Sequence, residues 1–120
     1  MENKTKNYIL EIDEFKNLDV KSFITDDILK IANQTASKEF NEYIKSNENE
    51  DLIKNAGSDY FIVIYLLIKS NKNDVQAGYK TKLREIIISN YNIDNKIQNL
   101  DFYLGSCGIV AQGLAQKQII

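Results

Sequence analysis

Residues 60–68 read Tyr-Phe-Ile-Val-Ile-Tyr-Leu-Leu-Ile, nine residues without a charge, entered by Gly57-Ser58-Asp59 and left by Lys69-Ser70-Asn71. No other stretch of the chain is so uniformly apolar. An element with no polar side must be buried on every side, as a central helix or as a central parallel strand. Ile62, Val63 and Ile64 are β-branched, and Phe61, Tyr60 and Tyr65 sit with them, which is strand chemistry. Three features favour a helix instead. Ser58 or Asp59 supplies an N-cap, whose side-chain oxygen accepts from a free amide of the first turn. The apolar run continues into Lys69 and reaches about a dozen residues, long for a strand. A parallel strand also needs a second run of its own kind, reached by a crossover, and none is present. The run is therefore expected to be a buried central helix.

The rest of the chain agrees with a helical domain. Proline is absent and glycine occurs five times in 120 residues, too seldom for the tight turns of a many-stranded sheet. Residues 25–44 form the clearest helix. Thr25 is a cap, Asp26 and Asp27 suit the positive end of the helix dipole, and Ile28, Ala32, Ala36, Phe40 and Ile44 make one apolar face that Leu29 and Tyr43 widen. A polar loop follows over 46–51. Residues 52–56 make a short segment that Gly57 is expected to break. Residues 74–90 read as a helix capped by Asp74, with Val75, Tyr79, Leu83, Ile86 and Ile87 inward. Residues 93–104 read as another, capped by Asp94, with Ile93 able to staple the entry and Ile97, Leu100 and Leu104 as its stripe. The last segment, 105–120, is rich in small residues. Residues 8–18 fit a strand through Tyr8, Leu10 and Ile12, or a helix through Tyr8, Ile12, Phe15 and Leu18, with a slight lean to helix. The expectation is one all-α domain spanning 1–120, a compact bundle of about five to six helices around the central one. The alternative is a small α+β fold with 8–12 and 60–65 as strands.

The chemistry available is narrow. There is no histidine and only one cysteine, Cys107. Serine–histidine and cysteine–histidine catalysis are excluded within this chain, and so is a structural zinc site. Cys107, in Gly105-Ser106-Cys107-Gly108, is expected to be a small buried hydrophobe, and an internal disulfide is impossible. The glycines lack the Gly-Lys-Ser/Thr ending of a phosphate loop and never form G-x-G-x-x-G. The acidic pairs Asp13-Glu14 and Asp26-Asp27 and the group Glu48, Glu50 and Asp51 are better explained by helix starts and solvated loops than by a metal or an acid/base pair. No cofactor and no metal are expected. Residues 60–68 are too few to span a bilayer, which takes about 20, and the N-terminus lacks a secretory apolar core. A cytoplasmic location follows as an expectation. The weight of isoleucine, lysine and asparagine matches AT-rich codon usage, as in a low-GC bacterium or its phage.

Charge is uneven along the chain. Residues 1–51 hold 7 lysines and 12 acids, a balance of −5, while residues 52–120 hold 7 lysines, 1 arginine and 5 acids, a balance of +3. These features suit a non-enzymatic binder that neutralises a protein partner by surface complementarity, foremost a bacterial toxin immunity protein of contact-dependent or bacteriocin type. Its partner would be a basic toxin or effector domain, steered by the acidic half. The contact residues expected are Glu39, Glu42, Glu48, Glu50 and Asp51. A phage inhibitor of a host defence protein is the nearest alternative. A small helical nucleic-acid-binding regulator would use Lys80, Lys82 and Arg84, although one short basic run is a small footprint for a duplex. An enzyme working with carboxylates alone is a third. Ile119 and Ile120, beside the C-terminal carboxylate, are a further place for capture by a partner.

Overall fold

Capping, dipole and apolar spacing agree over residues 25–44, and the helix forms there. The computed structural model describes residues 20–71 and 77–117. It contains a single turn, α1 (Val20–Phe23), and four long helices, α2 (Asp26–Tyr43), α3 (Glu50–Asn71), α4 (Ala77–Asn90) and α5 (Leu100–Lys117). Among the described residues there is no strand. The all-α expectation holds, and among the described residues the long helices number four, against the five to six expected. The α+β alternative fails at residues 60–65, which are helical; residues 8–18, Asp74, Val75, Ile119 and Ile120 lie outside the described residues.

The Thr25 hydroxyl accepts from the Ile28 amide at 3.3 Å and fixes the start of α2. Its end comes at Lys45, whose φ of 73° takes the chain out of the helix. Ile28, Ala32, Ala36 and Phe40 are all buried. The central run behaves as its composition demands: every side chain of residues 60–68 is buried. At about 2 kcal/mol for each large apolar side chain removed from water, this is the main source of the core.

Two boundaries differ from the sequence expectation. Gly57 does not break a helix; α3 runs through it without interruption. Ser58 and Asp59 are therefore not caps but tethers: the Ser58 hydroxyl donates to Asn33 Oδ1 of α2 at 2.8 Å, and Asp59 accepts from the Tyr91 hydroxyl at 2.5 Å. Residues 93–104 are not one helix either. The Asp94 carboxylate accepts from the Lys96 amide at 2.9 Å, closing a local turn rather than capping. Asn92 and Asn99 take positive φ, 53° and 66°. A single helix, α5, then starts at Leu100 and joins the end of the expected segment to the small-residue stretch after it.

Helix α3 sits between the others, most extensively against α5 and then α2. Lys54 lies over the Phe40 ring and Ser58 reaches Asn33, so α2 and α3 are antiparallel. The α3–α5 contact is a reciprocal fit of tyrosine on glycine. Tyr103 of α5 lies on Gly57 of α3, where an added Cβ would come 2.6 Å from the tyrosine Cζ. Tyr60 of α3 lies on Gly108 of α5, where an added Cβ would come 2.8 Å from Cε2. The Tyr103 hydroxyl donates to the Ile53 carbonyl at 3.1 Å, and its ring meets Phe40 of α2 edge-on at 6.2 Å.

Glycine inside a helix costs about 1 kcal/mol relative to alanine, so Gly57→Ala judged by propensity alone would stabilise. The packing reverses that sign: Gly57→Ala and Gly108→Ala should each destabilise by about 1–3 kcal/mol, read as a lower midpoint in urea unfolding followed by circular dichroism.

Candidate functional site

The antiparallel turn from α2 to α3 brings the expected acidic residues to one end of the bundle. Glu42 is exposed on the last turn of α2, Glu48 is exposed in the loop, and Asp51 is exposed on the first turn of α3. Glu50 is half-buried and bridges to Lys54 at 2.9 Å. Glu50 and Asp51 also sit at the positive end of the α3 dipole, which favours them there. Glu39 departs from the group. It is half-buried, one turn down α2, and close enough to Tyr103 and Cys107 to act on both electrostatically.

Two further residues join this end and had no signal in the linear charge pattern. Leu52 is 42% exposed beside Asp51, off the buried side of α3. Asp101 is exposed on the first turn of α5. It is carried there because the Asn99 side-chain amide donates to the Tyr43 carbonyl at 3.0 Å, tying the start of α5 to the end of α2. The result is one end of the bundle that exposes four carboxylates, Glu42, Glu48, Asp51 and Asp101, together with Leu52. Such a surface suits a basic protein face.

The basic residues of α4 are not gathered in the same way. Lys80 donates to Gln112 of α5 at 2.8 Å, and Arg84 bonds to Thr81 at 3.1 Å while lying along α5 near Gly105. Lys82 is exposed two residues on from Lys80, and helix geometry turns it well away from that side. Adjacency in sequence therefore does not become one cationic patch. At the far end, α1, the start of α2 and the end of α3 border an open groove of about 700 Å³ that includes Phe23, Asp27, Lys30, Tyr65 and Lys69.

Cys107 is fully buried. Burial, reinforced by Glu39, pushes its thiol up to about 12, so it is protonated at neutral pH and closed as a nucleophile. Burial likewise raises Tyr60 to about 12, partly countered by Arg84, and raises Tyr103 further. Among the described residues, no group of three or more histidine, cysteine, aspartate or glutamate side chains is placed to hold a metal ion. Among them, too, no helix is long and apolar enough to cross a membrane. No family model, curated protein or solved structure matches the chain.

Two outcomes follow from the buried hydroxyls and thiol. Iodoacetamide should label Cys107 in the native protein only as fast as the protein unfolds, and rapidly in denaturant. These groups hold their protons more tightly folded than unfolded. Their contribution to stability is thus whole below about pH 9, the ordinary thiol value, and is lost as pH rises toward 12. Thermal midpoints across that range should fall, with a smaller early decline in Cys107→Ala.

Proposed function

We propose that this chain is a non-enzymatic protein that binds and neutralises a protein partner, with a bacterial toxin immunity protein of contact-dependent or bacteriocin type as the leading form. The observation that carries the reading is the acidic end of the bundle, where Glu42, Glu48, Asp51 and Asp101 are all exposed and the exposed Leu52 lies at the same end. Exposed apolar and charged side chains at one end of a fold are the materials of a protein-binding patch. The sign of those charges fits a basic toxin or effector domain, and like-charge repulsion would discourage nucleic acid. A phage inhibitor of a host defence protein would use the same surface and differ in its target. Cytoplasmic action belongs to this proposal in either form.

The experiment is affinity capture from the native host, with the product of the neighbouring gene as first candidate, followed by calorimetry on the purified pair. Glu48→Lys with Asp51→Lys should raise the dissociation constant about tenfold or more and flatten its dependence on salt. Leu52→Asp should weaken binding at every salt concentration. Glu50→Lys also removes the Lys54 bridge and is a poorer probe. Unchanged affinity in the first two variants would remove the acidic end as the contact surface. Salt-sensitive duplex binding lost on neutralising Lys80, Lys82 and Arg84 would favour the regulator instead.

A further inference from the structure

Helix α5 has an outward side that the other described residues leave exposed. Residues 102–116 contain no charged side chain; Asp101 and Lys117 bound them. The inward side is accounted for by Tyr103, Leu104, Cys107, Gly108, Ala111 and Ala115, all buried. On the outward side Phe102 is 68% exposed, Ile109 71% and Val110 38%. A helix face turned to water ordinarily carries charge, as α2 does with the exposed Lys30, Lys38 and Glu42. Gly113 shares the outward side. Among the described residues, no atom lies within 4 Å of where its Cβ would be. The described part of the monomer therefore gives no reason for a residue that costs about 1 kcal/mol in a helix, whereas a second backbone approaching closely does.

The flanks of this face carry opposite charge. On one side lies α2, where Tyr43 stacks on Phe102 with ring centroids 6.5 Å apart, and Glu39 and Glu42 accompany it. On the other lies α4, with Lys80 bonded to Gln112 and Arg84 beside Gly105. We propose that the outward face of α5 packs against the same face of a second copy of this chain, about a two-fold axis running along the helix. Such an axis exchanges left and right, so the acidic flank of each copy meets the basic flank of the other. A two-fold axis across the helices would set like against like. The pairing is isologous and closed, and it leaves Glu48, Asp51 and Leu52 free at the end of each bundle.

The test is sedimentation velocity on the full chain over a concentration series. The wild type should show a reversible monomer–dimer equilibrium. Ile109→Glu and Gly113→Leu should each be folded monomers, the second because its side chain enters open space in the monomer. Glu42→Lys and Arg84→Glu should each raise the dimer dissociation constant about tenfold or more, and the two together should restore it. A wild type that is monomeric at every concentration overturns the proposal. So does a dimer that survives both Ile109→Glu and Gly113→Leu, or a monomer whose melting temperature falls with Ile109→Glu, which would show the face covered within its own chain.

Discussion

The packing of Tyr103 on Gly57 and of Tyr60 on Gly108 lies within the most extensive contact between helices among the described residues, that of α3 with α5. Each glycine removes the Cβ that would keep the opposing ring away, so backbone and aromatic ring approach closely on both sides of one contact. The buried Tyr103 hydroxyl is not left unsatisfied, because the Ile53 carbonyl accepts from it. The same ring meets Phe40, so one side chain joins α2, α3 and α5. Because α3 is apolar on every side through residues 60–68, it is stable only when all of its neighbours are in place. The tyrosine–glycine fit sets how close the most extensive of those neighbours comes.

That close approach also determines what α5 presents elsewhere. Its inward side is filled, which buries Cys107 and raises its thiol far from neutral pH. The chain's one cysteine is thereby a packing residue. The outward side turns Phe102, Ile109 and Val110 to the surface between an acidic helix end and a basic helix. The unequal charges of the two halves of the sequence become a spatial arrangement: acids collect where α2 turns into α3, and Lys80 and Arg84 lie along α5 on its other flank.

Helix α2 was legible in the sequence because Thr25, the two aspartates and the four-residue apolar spacing all indicate the same element. Residues 60–68 were legible as central because no side of them is polar. The role of Gly57 was not, since glycine weakens a helix locally and the reason for its presence is a tyrosine far along the chain. Asp94 misled for a related reason: its carboxylate serves equally well in a cap or in a turn, and the positive φ of Asn92 and Asn99 decides for the turn. At the candidate site, Glu42, Glu48 and Asp51 were recognisable from the chain, as neighbours across a short loop. Asp101 was not, because only the Asn99–Tyr43 bond places it there. Nor was the separation of Lys82 from Lys80 and Arg84 evident from a linear run, although helical periodicity alone accounts for it.

Native-state hydrogen exchange tests most directly the claim that the α3–α5 contact underlies the rest. Amides of α3 beyond Gly57 and of α5 from Tyr103 to Ala111 should be the slowest in the protein and should exchange only through global unfolding. Those of α4 should open at lower free energy, with α3 and α5 still protected. If α5 opens while α2 and α3 stay protected together, the tyrosine–glycine contact is not what the fold depends on.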